Sequence, residues 1–118
     1  MTQRTERVGD LLRSELSELL RREMRDPRVA LASISSVEVA RDFSHATVRV
    51  SALGTEAERL AAVAALDRAK GFLRSELARR ISLRTTPALH FVLDRGAERS
   101  LEIEALLDGL KKEGERGS

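Results

Sequence analysis

Apolar side chains recur every three or four positions over the first 25 residues, with charged side chains between them. This spacing places the apolar residues on one face of a helix, and it predicts an amphipathic α-helix over residues 5–25. Asp26-Pro27 should end the helix, because the residue before a proline is disfavoured in the α region. The side chains of this helix that we expect in the core are Leu12, Leu16 and Leu19.

Three later segments have the composition or the two-residue repeat of β-strands. Residues 33–40 are rich in serine and β-branched side chains, and residues 45–52 alternate apolar with polar side chains. Because only a short connection separates them, we expect an antiparallel hairpin. A third strand is predicted where Leu89, Phe91 and Leu93 alternate with other side chains.

A helical pattern fills most of the chain between the second and third strands, up to residue 82. Thr55 and Glu58 form a T-x-x-E capping box at its start. The pattern is longer than the roughly 8–20 residues of a typical globular helix. We therefore predict two helices, residues 55–69 and 72–82, with a bend at Ala69-Lys70-Gly71 where a large side chain at position 71 would be strained. One continuous helix that tolerates a glycine is the alternative.

A last helix is predicted to begin at Ser100, and its apolar residues are Leu101, Leu106, Leu107 and Leu110. The predicted order is helix, strand, strand, helix, bend, helix, strand, helix. Such a mixed order without a repeating βα unit indicates an α+β fold, a three-stranded sheet with helices on one face. Residues 1–110 are expected to form one domain, and residues 111–118 a short, polar, flexible tail.

Several classes of function find no support in the sequence. The chain contains no cysteine, which excludes disulfides, thiolate metal sites and thiol nucleophiles. Its two histidines, His45 and His90, have no motif of a hydrolase or a metalloprotease around them. Neither a signal peptide nor a run of about 20 apolar residues is present, so we expect a cytoplasmic protein without a membrane segment. We predict no enzymatic activity, no cofactor and no small-molecule substrate.

The net charge of +2 is unevenly distributed. Residues 68–84 carry six basic side chains against Glu76 alone, which suggests either one surface for an anionic partner or a solvated helix face. The basic residues are Arg68, Lys70, Arg74, Arg79, Arg80 and Arg84.

The three phenylalanines are the only aromatic residues of the chain. Phe91 and Phe72 are predicted to lie in the core, whereas Phe43, in the hairpin connection, could be exposed. RNA-binding proteins often stack bases on aromatic rings, so RNA binding here would rest mainly on contacts from Arg and Lys to phosphates. We consider the six basic residues of the 68–84 segment the first candidates and Arg4, Arg7 and Arg22 the next.

The order of elements resembles that of a KH-like domain of the second topological type. KH domains clamp the nucleic-acid backbone with a G-x-x-G loop between paired helices. At that junction this chain has Ala69-Lys70-Gly71 instead.

Short motifs, in a specific order over residues 4–110, resemble the ribosome-binding factor A family. They are Arg7-Val8, Arg22-Glu23, Asp26-Pro27-Arg28, Val39-Ala40-Arg41-Asp42, Ala46-Thr47-Val48, the Ala69-Lys70-Gly71-Phe72-Leu73-Arg74 junction, and Leu83-Arg84 with Pro87, Leu89, Phe91 and Asp94.

The resemblance implies a factor that binds the immature small ribosomal subunit and helps its ribosomal RNA mature, particularly at the 5′ end. It also implies a role in growth at low temperature, and neither a cofactor nor catalysis. The family's A-x-G bend would correspond to Ala69, Lys70 and Gly71. Its basic helix surface would correspond to Arg68, Arg74, Arg79, Arg80 and Arg84.

Two other readings stay open on the sequence alone. One is a generic KH-like protein that acts on other RNAs, and the other is a protein–protein adaptor whose basic surface meets an acidic partner. We expect a monomer in each case.

Overall fold

A computed structural model describes residues 3–96 and 106–107 of the chain, and the elements follow the predicted order. They are α1 (Gln3–Arg22), a 3₁₀ turn (Pro27–Val29), β1 (Ala32–Val39), β2 (His45–Ala52), α2 (Glu56–Arg68), α3 (Lys70–Arg80) and β3 (Ala88–Leu93). The predicted helix from Ser100 and the tail over residues 111–118 lie outside the described residues, except for the exposed Leu106 and Leu107.

The sheet has the order β1-β2-β3, with β1 antiparallel and β3 parallel to β2. Parallel neighbours need a long crossover connection, which α2 and α3 provide. Ala46, Val48 and Val50 point to one face of β2 and are fully buried. The intervening Thr47, Arg49 and Ser51 are half-buried or exposed, so the core lies on one face of the sheet only.

Helix α1 supplies one wall of the core. Leu12, Leu16 and Leu19 have no exposed surface, as the sequence predicts. The helix ends at Arg22, three residues before the predicted end. Asp26, the residue before the proline, is extended (φ −72°, ψ 121°) and begins the 3₁₀ turn instead of closing α1.

Gly9 is the residue that lets α1 lie against β1. A Cβ atom at this position would be 2.6 Å from the carbonyl oxygen of Val37 in β1. Such a contact is not tolerated between carbon and a backbone oxygen, so only a residue without a side chain fits here without a shift of the helix. The helical pattern of the sequence gives no reason to single out this glycine.

The division between α2 and α3 confirms the prediction of two helices. At the start of α2, Thr55 Oγ1 accepts a hydrogen bond from the Glu58 amide, and Glu58 Oε1 accepts one from the Thr55 amide, both at 3.1 Å. Ala69 separates the helices with φ −89° and ψ 2°. Gly71 lies in the first turn of α3, and a Cβ built on it meets no atom within 4 Å. The prediction that a large side chain at position 71 would be strained is therefore wrong.

The three phenylalanines differ in exposure. Phe91 is 4% exposed and belongs to the core, as predicted. Phe72 is 46% exposed, so the prediction that it lies in the core is wrong. Successive helical residues point about 100° apart, and in α3 it is Leu73 and Leu77 that face the core. Phe43 is half-buried and packs against the edge of the core.

Candidate nucleic-acid interface

All six basic residues predicted as a contact surface are exposed. They extend from the end of α2, along α3, to the loop before β3, and their side chains engage different parts of the fold. Helix α3 contains Lys70, Arg74, Arg79 and Arg80, and Arg68 and Arg84 flank it. We refer to these six residues as the α3 strip. At about 100° per residue, Lys70 and Arg79 lie on opposite sides of the helix, so the six do not form one compact patch.

At the bend end of this strip, Arg68 lies near the 3₁₀ turn. Arg28 Nε and Nη2 donate to Asp26 Oδ1 and Oδ2 at 2.9 and 2.5 Å, and the Arg28 amide donates to Oδ1 at 3.0 Å. These bonds lower the pKa of Asp26 from 3.8 to about 2, and the charge of Arg68 adds to the effect. The Asp26 and Arg28 charges neutralise each other and Lys70 pairs with Asp67, so Arg68 supplies the excess positive charge there.

Three of the basic residues form ion pairs. Lys70 Nζ lies 3.7 Å from Asp67 Oδ2, and Arg79 Nη1 lies 3.3 Å from Glu76 Oε1. Arg80 reaches across to α1, with Nη1 3.7 Å from Glu15 Oε2. The surface pairs of Lys70 and Arg79 contribute only about 0–1 kcal/mol, so a phosphate can replace the carboxylate there at small cost. The pair between Arg80 and Glu15 is different, because both side chains are half-buried between α3 and α1.

Arg74 has a structural contact that the sequence does not reveal. Its Nε and Nη2 donate to the carbonyl oxygen of Thr86 at 3.1 and 2.8 Å. The contact ties α3 to the loop that leads into β3. A substitution at Arg74 therefore changes both the charge of the strip and the support of this loop.

Arg84, at the far end of the strip, lies in a small pocket with residues remote in sequence. The cavity of about 230 Å³ is lined by Arg4, Asp42, Phe43, Leu83, Arg84 and Thr85. The guanidinium carbon of Arg4 is 5.2 Å from the centre of the Phe43 ring, within the range of a cation–π contact. On sequence alone, Arg4 ranks behind the six basic residues of the 68–84 segment and Phe43 stands out only for its expected exposure, because neither belongs to a basic run.

The hairpin connection that carries Phe43 is held by a side-chain turn. Asp42 Oδ1 accepts hydrogen bonds from the Ser44 hydroxyl at 2.7 Å and from the Ser44 amide at 3.0 Å. These bonds keep the pKa of Asp42 below its ordinary value. Phe43 itself has φ 60°, in the left-handed region that bulky side chains rarely occupy.

Over residues 3–96 we find no group of three or more histidine and carboxylate side chains arranged to hold a metal ion. Within the same part of the chain, none of the helices combines the length and the apolar character needed to cross a bilayer.

Comparison with known proteins agrees with the order of motifs in the sequence. The sequence profile of a family described as ribosome-binding factor A matches residues 4–107. Ribosome-binding factor A of Thioalkalivibrio sulfidiphilus is 49% identical over 105 residues, 89% of this chain and 81% of that protein. That of Halorhodospira halophila is 46% identical over 106 residues, 89% of this chain and 84% of the relative.

Solved structures show the same KH-like fold. The crystal structure of ribosome-binding factor A from Thermus thermophilus matches with a TM-score of 0.71 and 32% identity, over 78% of this chain and 97% of that one. A second match is a homology model of the Thermus thermophilus factor, fitted into a cryo-EM map of a 30S complex with ribosome-binding factor A. Its TM-score is 0.62 and its identity 34%, over 73% of this chain and 90% of that one. The chain therefore belongs to the ribosome-binding factor A family.

Proposed function

We propose that this chain binds the immature small ribosomal subunit through its ribosomal RNA and assists subunit assembly, including maturation of the RNA at its 5′ end. The observation that carries the proposal is membership of the family over residues 4–107. It is supported by the Thermus thermophilus relative, which was fitted into the map of a 30S complex. A ribosomal partner would place the chain in the cytoplasm, and we propose that it acts as a monomer without catalysis.

The charge arrangement along α3 is suited to RNA. The first turn of α3 contains no acidic residue, and Ala69 offers no side-chain cap to its amides. The amino end of a helix carries partial positive charge and attracts anions. The neighbouring Arg68 adds a cation, and Lys70 in this turn adds a second through a weak, exposed pair with Asp67 that a phosphate can replace. The bend therefore favours a phosphate of the RNA backbone. Phosphate contacts position a protein without reading base sequence, so the shape of the immature RNA would supply discrimination.

Co-sedimentation with purified ribosomal particles tests the proposal. We expect the chain to pellet with immature small subunits more than with mature small subunits, and not with large subunits. Equal recovery with all three particles at physiological salt would show non-specific electrostatic binding and contradict the proposal. Retention on an acidic protein partner together with no binding to any particle would favour an adaptor instead.

The absence of catalysis has its own test. Precursor ribosomal RNA within immature subunits, incubated with the chain alone, should keep its 5′ extension. Shortening of the RNA that is abolished by one point substitution in the chain would contradict this part of the proposal.

A further inference from the structure

The pocket of Arg4, Phe43 and Arg84 is separate from the bend at which KH-like domains hold nucleic acid. Arg84 follows the carboxyl end of α3, whereas the bend is at its amino end. The 11 residues of α3 span about 16 Å at 1.5 Å per residue. The N-terminal turn of α1 and the β1–β2 connection complete the pocket. One phosphate group cannot contact both places, so the pocket needs its own explanation.

Phe43 is held in the pocket at a conformational cost. Its φ of 60° is a conformation that asparagine or glycine adopts more readily, yet the residue there is phenylalanine. Strained residues persist where the surroundings enforce them, and they are often found at binding sites. The ring packs on the core with one part and meets Arg4 with another. The Arg4 guanidinium lies over the ring, and guanidinium groups and aromatic rings are the side chains on which unpaired bases stack.

The two arginine side chains of the pocket are available to bind an anion. Among residues 3–96, Arg4 and Arg84 form no ion pair, in contrast to Lys70, Arg79 and Arg80 on the strip. The one carboxylate in the pocket, Asp42, is already hydrogen-bonded twice to Ser44. Two guanidinium groups therefore face one carboxylate that is engaged within its own turn.

The size of the cavity limits the ligand. Its volume of about 230 Å³ is below the roughly 300–1,000 Å³ of sites that enclose a drug-sized molecule. One nucleotide unit of a longer strand, partly outside the cavity, suits this size better than a free metabolite. An acidic peptide would use the two arginines but would gain nothing from the aromatic surface.

We propose that this pocket binds one unpaired nucleotide of RNA, with its base stacked on the Phe43–Arg4 surface and its phosphate on Arg84. The inference rests on the proposed function and adds to it a contact that discriminates unpaired from paired RNA. Together with the strip along α3, it predicts that the chain contacts RNA at two places about one helix length apart.

A single-stranded RNA hexamer with a central 2-aminopurine is the probe for this site, because stacking quenches the fluorescence of that base. Titration of the full-length chain should quench the fluorescence and move the amide resonances of Phe43, Ser44, Arg84 and Thr85. Phe43→Leu should abolish the quenching and weaken binding about fivefold or more, as expected for loss of one stacked base. Phe72→Leu is the matched control, since it removes an exposed ring outside the pocket, and it should leave the quenching unchanged.

The contribution of charge is tested by Arg84→Gln, which should weaken hexamer binding and make the salt dependence shallower by about 0.7 in slope. Arg13→Gln removes the same charge from an exposed position of α1 outside the pocket and should leave both values unchanged. Melting curves establish that each variant is folded. If Phe43→Leu does not fold, the resonances that move in the wild type and the Arg84→Gln result decide the question.

Three outcomes would overturn the inference. They are hexamer-induced shifts that leave the pocket residues unmoved, binding without quenching, and equal shifts of the pocket residues with inorganic phosphate or a polyglutamate peptide. If the chain still pellets with immature subunits, only the pocket assignment fails. Quenching and pocket shifts without binding to any ribosomal particle would instead support the pocket assignment and contradict the proposed function.

Discussion

Two glycines illustrate how differently one residue type acts in this fold. Gly9 is required by the approach of α1 to the Val37 carbonyl group, whereas Gly71 in α3 has open space around it. Glycine in a helix interior costs about 1 kcal/mol relative to alanine, because its backbone loses more freedom on folding. At Gly71 no steric contact offsets this cost.

We therefore expect opposite effects from the same substitution. Gly71→Ala should raise the free energy of unfolding by about 0.5–1 kcal/mol, since a methyl group fits and helix propensity improves. Gly9→Ala should lower it by about 1–3 kcal/mol, because α1 or β1 must move to relieve the contact with a backbone oxygen. Urea denaturation measures both. Equal changes of the same sign would contradict the packing of α1 described here.

Asp26 predicts a pH dependence of stability. Its pKa falls from 3.8 to about 2 in the folded chain, chiefly through the hydrogen bond from Arg28. A carboxyl group with a depressed pKa stabilises the fold above its unfolded pKa, and the contribution is lost as the pH falls through the folded value. The melting temperature of the wild type should therefore exceed that of Asp26→Ala at pH 6, and the difference should shrink between pH 4 and 2. A difference that stays constant over this range would exclude ionisation of Asp26 as its source.

At the scale of elements, α1 is held by its row of buried leucines. Helix α3 is held by two buried leucines and by a hydrogen bond to the loop before β3. Leu16 is fully buried in α1, while Leu11 on the same helix is 44% exposed. Helix α3 buries Leu73 and Leu77 and is fastened to the loop before β3 by Arg74. The basic side chains of α3 can thus change without loss of the core. Arg74 and Arg80 also hold α3 to the loop before β3 and to α1, so substitutions there remove a tertiary contact.

Leu16→Ala should destabilise the chain by about 2–5 kcal/mol, because it removes apolar contacts and leaves a cavity. Leu11→Ala makes the same chemical change at an exposed site of α1, and it should cost less than about 1 kcal/mol. Thermal or urea unfolding compares the two variants. Similar losses in both would mean that α1 is not packed through the predicted stripe.

The bend between α2 and α3 should carry phosphate contacts. Reversal of Arg68 and Lys70 to glutamate avoids the structural contact of Arg74 and should leave the fold intact, as exposed charges usually change stability by less than about 0.5 kcal/mol. Binding to immature subunits should weaken, and the slope against the logarithm of salt should become shallower by about one to two units. Reversal of Arg13 and Arg21, both exposed on α1, is the control with the same change of charge. An unchanged affinity and slope in the Arg68/Lys70 variant would remove the bend from the RNA surface.

At the scale of the whole molecule, the sheet topology decides which residues become neighbours. Because β3 is parallel to β2, the chain must cross the sheet through α2 and α3, and the loop after α3 meets the start of β2. The Ala88 amide donates to the Ser44 carbonyl at this end. Arg84 thereby comes beside Arg4 and Phe43, which are separated from it by tens of residues. A surface of this kind depends on the fold, so unfolding should abolish stacking of the 2-aminopurine hexamer while leaving weak electrostatic binding.

Local patterns in the sequence were sufficient to predict the elements of residues 3–96 and their order. The apolar repeat of α1, the alternation in β2, the capping box of Thr55 and Glu58 and the break near Ala69 are interactions among residues close in sequence. The motifs that resemble the ribosome-binding factor A family likewise lie in short segments, and the comparisons confirm the family.

The tertiary structure is needed to tell which positions of those elements face the core and which contact another element. The exposure of Phe72 and the need for glycine at position 9 depend on how α3 and α1 are rotated and placed against the sheet. The contact of Arg74 with Thr86 and the pocket around Phe43 join residues far apart in the chain. Local patterns carry no information on such distances, since they arise when the apolar faces of all elements are buried together.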